Sequence, residues 1–272
     1  MTDSVNVEAH YARPGLGDRI LAALAAAGKD LDQLTPDDLA PVDEFHTGGR
    51  AATVNLARLL APSGAERVLD LGSGIGGPSR YLAYAFGCCV SGIDLTASFV
   101  ETATMLARRM NLAGKVDYRQ GDELALPYED ASFDVVWSQN VVMNIADRDR
   151  LYAEIHRVLK PGGRYAFSDV TAGPVGPLIF PVPWAKTPEM SFLLTPDETR
   201  AKLEAAGFRI LVFEDQSAEA IVQQQARTAA ASRPLSLQVV IGDGFRTVAL
   251  NSQRNLQERR TLLIQGVAAR AG

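Results

Sequence analysis

The sequence predicts an α/β fold in which parallel strands are joined by helical crossovers. Between residues 67 and 170, short apolar runs alternate with amphipathic segments of helical length, a pattern typical of strand–helix–strand units. The turn residues agree with this pattern. Pro78 stands where a helix should begin, Gly87 where it should end, and residues 160–163 read Lys-Pro-Gly-Gly just before another strand.

Composition limits the classes of protein that fit. The 272 residues suit one large domain or a core domain with added segments. A net charge of −5, with acids and bases interspersed, does not favour nucleic-acid binding. No run approaches the roughly 18 apolar residues of a membrane span. With no signal peptide and only two adjacent cysteines, Cys88 and Cys89, we expect a cytoplasmic protein without disulfides. Two cysteines and three scattered histidines also predict that there is no metal site.

The first 60 residues should form a helical cap segment in front of the main domain, residues 61–272. Residues 17–60 are predicted to be helical. A first helix should end at Gly28, a second should begin after the cap Thr35, and a third should stop before Pro62.

The strands of the main domain follow in order along the chain. Each is a short apolar run that is followed by a helix or a turn. The predicted strands are RVLDLG, CCVSGIDL, VDYRQGD, FDVVWSQ, RYAFSDV, RILVFED and TLLIQGVAAR.

Two insertions interrupt this order. Residues 171–195 hold five of the fourteen prolines and cannot be regular, but Phe180, Trp184 and Phe192 make the segment apolar, so we predict a packed lid. Thr195 and Glu198 have capping-box spacing at the start of the next helix. Residues 217–258 are predicted to be a mainly helical insertion that either pairs two subunits or covers the sheet; within it, 235–242 reads equally as a strand or a helix.

A glycine motif follows the first strand. Gly72, Gly74 and Gly77 have the spacing G-x-G-x-x-G at a helix N-terminus, which suits a pyrophosphate or the carboxylate of an amino-acid-like ligand. The spacing alone does not decide between them. Asp70, just ahead of the glycines, would repel a pyrophosphate and attract an ammonium group. Asp94, at the end of the second strand, would accept hydrogen bonds from ribose hydroxyls.

Four segments in order resemble the class I S-adenosylmethionine-dependent methyltransferases. They are VLDLGSGIGGPSRYLA, GIDLT, GDELALPYEDASFDVVWS and VLKPGGRYAFSD. The resemblance covers about residues 45–215 and implies a Rossmann-like, mostly parallel seven-stranded sheet of order 3-2-1-4-5-7-6, with helices on both faces and the last strand antiparallel. FHTGGRAAT and FPVPW resemble the small-molecule branch, whose members act on phosphoethanolamine, sarcosine, tocopherol precursors and natural-product scaffolds.

The resemblance also implies a cofactor site for S-adenosyl-L-methionine, whose product is S-adenosyl-L-homocysteine. Asp70, Gly72, Ser73, Gly74 and Gln139 would surround the methionyl part. The ribose and adenine would lie against Asp94, Leu95, Asp122 and Glu123.

Candidates for catalysis are few. Many small-molecule relatives place a histidine soon after the fourth strand, where this chain has Asn144, so Asn140 and Asn144 are left to orient a substrate by hydrogen bonds. His46 is the best-placed base, unless it only bonds to nearby backbone at a helix entry. Tyr11 lies in a segment that either folds over the pocket or is a solvent-exposed arm. Phe180 and Trp184 either wall the substrate or belong to the core.

These residues predict methyl transfer to a nitrogen, oxygen or carbon of a small molecule, including natural products, by alignment of the reacting atoms. Two alternatives stay open. One is an NAD(P)-dependent oxidoreductase, and the other is an inactive cofactor-binding module on the same fold.

Overall fold

The computed structural model describes residues 8–229, 235–242 and 244–271. They form a seven-stranded sheet of order β3-β2-β1-β4-β5-β7-β6, in which only β7 runs antiparallel to its neighbours, β5 and β6. This confirms the predicted architecture. The strands are β1 (Arg67–Leu71), β2 (Cys89–Asp94), β3 (Val116–Gln120), β4 (Phe133–Gln139), β5 (Leu159–Ala172), β6 (Phe208–Asp215) and β7 (Thr261–Arg270).

Helices cover both faces of the sheet, because alternate residues of the central strands point to opposite faces. Val68 of β1 packs in one buried cluster and its neighbour Leu69 in another. The helices are α1 (Leu16–Ala26), α2 (Pro36–Asp43), α3 (Gly49–Leu60), α4 (Gly77–Phe86), α5 (Ala97–Arg109), α6 (Arg148–Val158), α7 (Pro196–Ala205), α8 (Ser217–Ala229), α9 (Gln238–Ile241) and α10 (Phe245–Gln257).

Three helices of the segment before the sheet, α1 to α3, lie close to their predicted positions. Leu16, Ile20 and Leu24 form one buried stripe of α1 at helical spacing. The side chain of Thr35 accepts the N–H of Asp38 and caps α2, while α3 ends two residues before Pro62.

The Pro-rich segment, residues 171–195, is irregular after β5 and is fixed to α10. Asn255 bonds the backbone of Ile179 twice, accepting its N–H at 2.8 Å and donating to its carbonyl at 3.0 Å. Trp184 is 4% exposed and belongs to a buried cluster with Met143 and Leu263. The segment is therefore packed, while its action as a lid stays a prediction.

The region after β6 is helical and packs on the sheet. Ala220 of α8 and Leu256 of α10 are buried in the same cluster as Leu263 of β7. Residues 238–241 form the short helix α9, which resolves the ambiguity at 235–242; part of the predicted insertion, residues 230–234 and 243, lies outside the described residues. Within the described ranges, every helix falls short of the length and hydrophobicity that a membrane span needs.

Candidate active site

A cavity of about 310 Å³ lies at the carboxyl ends of β1, β2 and β4. Parallel α/β sheets place ligands at this edge, where the loops after neighbouring strands meet. The lining includes every residue predicted to hold the cofactor, all three predicted for catalysis and two of the three predicted for substrate: Asp70, Gly72, Ser73, Gly74, Asp94, Leu95, Asp122, Glu123 and Gln139; Tyr11, His46 and Asn144; Asn140 and Trp184.

Asp70 is the most deeply placed acid of the cavity. It is 2% exposed, and one carboxylate oxygen accepts the hydroxyl of Ser79 at 2.5 Å. Burial and the neighbouring Asp94 raise the pKa of Asp70 to about 7, although Ser79 acts in the opposite direction. A buried acid with a raised pKa is stabilised by an incoming cation, such as an ammonium group.

Asp94 fixes the glycine loop to the second strand. Its carboxylate accepts the N–H of Gly74 and the N–H of Thr96, each at 2.8 Å, and burial raises its pKa. Each oxygen retains capacity for a further hydrogen bond, which a ribose hydroxyl can supply. Gly74 has φ of +53°, and a Cβ built on it would meet no atom within 4 Å. The loop therefore leaves open space for a ligand beside its backbone.

A second pair of acids follows β3. Glu123 is buried, and its burial together with Asp94 and Asp122 raises its pKa to about 8. Asp122 accepts the N–H of Leu124 at 2.8 Å and so shapes the turn. With Asp70 and Asp94, this pair gives the cavity a strongly acidic side.

Four buried polar atoms of the lining have no partner among the described residues: Oδ1 of Asp43, Oγ of Ser73, Nε2 of Gln139 and Oδ1 of Asn140. Two of them belong to residues predicted to hold the cofactor. One is Nε2 of Gln139, whose Oε1 accepts Trp137 Nε1 at 3.2 Å and lies 3.2 Å from the hydroxyl oxygen of Thr53. The other is Oγ of Ser73. Buried polar atoms are normally satisfied, so both are places for ligand hydrogen bonds.

His46 belongs to a buried polar cluster. Its Nε2 lies 2.7 Å from Glu44, which also accepts the hydroxyl of Thr53 at 2.7 Å and Arg50 at 3.0 Å. Burial alone would raise the pKa of Glu44, but bonds and charges from His46, Thr53 and Arg50 outweigh it and lower that pKa to about 2. The expected backbone bond of His46 is a weak 3.4 Å contact with Thr47. The imidazole is therefore held by a carboxylate.

Hydrogen bonds of Tyr11 and Asn144 join three segments beside the cavity: the N-terminal segment, the turn after β4 and the Pro-rich segment. The hydroxyl of Tyr11 donates to Asn144, and the amide nitrogen of Asn144 donates to the carbonyls of Trp184 and Met190. The N-terminal segment thus folds over the cavity instead of extending into solvent.

Of the two predicted aromatic walls, only Trp184 lines the cavity. Phe180 is not part of the lining; it is half-buried and packs against the buried cluster of Met143, Val182 and Leu263, which favours the core alternative, and a contact with substrate stays a prediction. Trp184 lines the cavity and is also core, with its indole N–H donated to Ser191 at 2.9 Å.

A buried ion pair was missed by the sequence reasoning. Arg80 of α4 donates to Asp43 at 2.6 Å and to the carbonyl of Ile75 at 2.7 Å, which fixes the end of α2 to the glycine loop. Burial raises the pKa of Asp43 to about 6, although Arg80 lowers it. The signal in the sequence was a single arginine within the otherwise apolar run PSRYLAYAF.

The described residues contain no group of three or more His, Cys, Asp or Glu side chains placed to hold a metal ion. The residues of the cavity fit a different ligand chemistry. They combine buried carboxylates, an open glycine backbone and unpaired amide and hydroxyl atoms, as a zwitterionic nucleoside with a positive centre requires.

Residues 69–167 match the family model described as "Methyltransferase domain". The chain is 30% identical over 194 residues to the sarcosine/dimethylglycine N-methyltransferase of Halorhodospira halochloris, covering 71% of this chain and 69% of the relative. It is 35% identical over 133 residues to methyltransferase GfsG of Streptomyces halstedii, covering 49% of this chain and 48% of GfsG. The match to the glycine/sarcosine/dimethylglycine N-methyltransferase of Actinopolyspora halophila spans 31% of that protein.

Solved structures share the fold over most of the chain. A geranyl diphosphate C-methyltransferase from Streptomyces coelicolor A3(2) superposes with a TM-score of 0.72 at 17% identity, covering 100% of this chain and 99% of that one. The [4+2]-cyclase SpnF superposes with a TM-score of 0.67 at 24% identity, covering 93% and 94%. From the motifs, the sheet order and these relatives together, the chain belongs to the class I S-adenosylmethionine-dependent methyltransferases.

Proposed function

We propose that the protein transfers the methyl group of S-adenosylmethionine to a small-molecule acceptor. The observation that carries this proposal is the pair of buried carboxyls Asp70 and Glu123, whose pKa values burial raises to about 7 and about 8 on the wall of one cavity. A sulfonium nucleoside with an ammonium group would be stabilised there, whereas a diphosphate would be repelled.

The chain's own residues would hold and enclose the cofactor. Asp70, Ser73 and Gln139 would bind the methionyl end, and Asp94 the ribose, with Leu95 and Glu123 beside the adenine. When bound, the cofactor supplies an electrophilic methyl group on a positively charged sulfur. Alignment of acceptor and methyl by such a site contributes roughly 7–11 kcal/mol to lowering the barrier. Trp184 and Tyr11 line the cavity, and we expect them to cover the bound cofactor and exclude water.

Thermal unfolding with each cofactor tests the proposal. Saturation at 100 times the dissociation constant adds about 2.7 kcal/mol of stability. We expect S-adenosylmethionine and S-adenosylhomocysteine to raise the melting temperature and NAD⁺ and NADP⁺ to leave it unchanged. The reverse result favours the oxidoreductase.

Turnover separates an enzyme from an inactive module. A cyclase on the same fold illustrates that the fold does not decide the reaction. Methyl-labelled S-adenosylmethionine incubated with mixed acceptors should give labelled product. Cofactor binding without labelled product from any acceptor class would support the inactive module.

Several finer predictions stay predictions. They are the division into a cap segment, residues 1–60, and a methyltransferase domain, residues 61–272; a cytoplasmic location; a homodimer; the absence of a nucleic-acid partner; and a role in natural-product biosynthesis.

A further inference from the structure

The cavity has two sides that differ in chemistry. The cofactor side holds the acids Asp70, Asp94, Asp122 and Glu123, and the acceptor side is formed by the turn after β4, the lid residues and the segment before α3. We propose that the acceptor is an uncharged, mainly apolar molecule with a hydroxyl group, and that His46 takes the hydroxyl proton while the oxygen receives the methyl group. This inference rests on the proposed function, since it concerns the second ligand of the same cavity.

Charge excludes an anionic acceptor. Among the described residues that line the cavity, six carry carboxyl groups and none is a lysine or an arginine. Nearby guanidinium groups are directed elsewhere: Arg80 donates to Asp43 and Arg50 to Glu44. A phosphate or a carboxylate would be buried beside acids without a cation, which costs several kcal/mol.

The acids outside the cofactor side offer little to a cationic acceptor. The charge of Asp43 is balanced by Arg80, which donates to Oδ2, while the buried Oδ1 has no partner among the described residues. Asp147 is exposed and caps α6 by accepting the N–H of Arg150 at 3.0 Å. The remaining four lie on the cofactor side, after β1, β2 and β3. A protonated amine beside a bound sulfonium would meet a second positive charge without a carboxylate of its own.

The rest of the acceptor side is mainly apolar. It comprises the turn after β4, the lid residues and the segment before α3, which contribute Phe45, Val141, Met143, Pro183 and Trp184. The polar atoms of Tyr11 and Asn144 are bonded to each other and to the backbone, so they add no free polar group.

Besides the unpartnered Oδ1 of Asp43, two uncharged polar groups remain there, and both accept hydrogen bonds. Asn140, which has φ of +54°, donates its amide to Thr47, and its buried Oδ1 has no partner in the described part of the chain. Nε2 of His46 lies 2.7 Å from the Glu44 carboxylate, which favours the tautomer with the proton on Nε2; Nδ1, whose contact with the Thr47 carbonyl is a long 3.4 Å, is then the unprotonated nitrogen. Two acceptors on an apolar wall fit a ligand that donates, as a hydroxyl does.

The transfer step then balances. The acceptor's O–H proton passes to Nδ1 of His46, and its oxygen bonds to the methyl carbon. The methyl–sulfur bond breaks, and its electron pair stays on sulfur. Glu44 stabilises the imidazolium across the 2.7 Å bond and is a positioning residue, because it is itself fully buried behind His46.

Binding of matched probes tests the acceptor class. Isothermal titration of the complex with S-adenosylhomocysteine should show that 2-naphthol binds at least tenfold more tightly than 2-naphthoate, 2-naphthyl phosphate or 2-naphthylmethylamine. Equal or tighter binding of a charged probe overturns the inference, and so does binding of none. Failure of S-adenosylhomocysteine itself to bind would instead overturn the proposed function.

Substitution tests the base. His46→Ala should lower kcat for a hydroxyl acceptor by about 10²-fold, with imidazole in solution restoring part of it and the affinity for S-adenosylhomocysteine unchanged. His156→Ala, remote beside Phe208, is the matched control and should keep full activity. Glu44→Gln should lower kcat more than it raises KM, and Glu44→Asp should recover part of the loss. A kcat unchanged in His46→Ala, or a loss that imidazole leaves untouched, overturns the assignment.

Discussion

The hydroxyl of Tyr11 donates a 3.0 Å hydrogen bond to Oδ1 of Asn144, which joins the N-terminal segment to the turn after β4. The amide nitrogen of Asn144 continues the connection to Trp184 at 2.7 Å and Met190 at 3.2 Å. Burial raises the pKa of Tyr11 further above its ordinary value of 10, so its hydroxyl stays protonated. These bonds support a positioning role for Tyr11 and Asn144, while the catalytic roles predicted for them stay predictions.

Tyr11→Phe tests that role. Loss of one hydrogen bond should lower the free energy of unfolding by about 1 kcal/mol. Because the bond holds the cover and does not hold the cofactor, KM for the acceptor should rise while the affinity for S-adenosylhomocysteine stays constant. Urea unfolding, titration calorimetry and kinetics measure the three quantities. Tyr84→Phe, at a position 60% exposed, is the control; an equal effect there contradicts the prediction.

Gly74→Ala should abolish tight cofactor binding without unfolding the protein. Alanine at φ of +53° costs about 1–2 kcal/mol, and its methyl group would enter the space beside the loop. Gly87→Ala is a matched control because Gly87 has φ of +78° at the end of α4, away from the cavity. Both variants should lose similar stability in urea, and only Gly74→Ala should lose affinity for S-adenosylhomocysteine. Retained affinity in Gly74→Ala would show that the ligand lies elsewhere.

Asp70→Asn should change how stability depends on pH. Folding raises the pKa of Asp70 from 3.8 to about 7, so the folded state holds this proton more tightly than the unfolded state. Its stabilising contribution is complete below about pH 3.8 and is lost as the pH rises through about 7. The unfolding free energy of wild type minus that of Asp70→Asn should therefore fall between pH 5 and pH 8, as measured by urea unfolding of the ligand-free proteins. A difference that grows with pH would mean that Asp70 is ionised and stabilised.

Cofactor binding should release protons at pH 7. Asp70 and Glu123, with pKa values raised to about 7 and about 8, are partly protonated without ligand, and a bound cation favours their ionised forms. Affinity should accordingly rise as the pH increases from about 6 to 9. Calorimetry in two buffers of different ionisation enthalpy gives the number of protons released. Glu123→Gln should reduce that number, and proton uptake by the wild type would contradict the electrostatic account.

Local sequence signals predicted much of the fold. The last predicted strand, TLLIQGVAAR, coincides with β7, and the capping box at Thr195 and Glu198 is present. These features depend on neighbouring residues, which a sequence displays directly. The lining of the cavity followed from the resemblance to the class I methyltransferases, and it agrees with the rule that parallel strands bring their carboxyl ends to one edge.

Features set by distant contacts were not readable. Phe180 and Trp184 lie in the same Pro-rich segment, but only Trp184 lines the cavity. Its carbonyl there accepts the amide of Asn144, which is 40 residues away in the sequence. Residues 238–241 are helical because Val240 is buried against Leu16 and Ile20 of α1. Likewise, Glu44 gave no sign that it would be enclosed by His46, Arg50 and Thr53.

The position of β7 between β5 and β6 has a consequence for biosynthesis. While the ribosome is still making residues 216–260, β6 has no neighbour in the sheet, and β5 presents an unpaired edge to the cell. Such edges recruit other extended chains. We therefore expect that synonymous codons that slow translation through this interval lower the yield of folded protein.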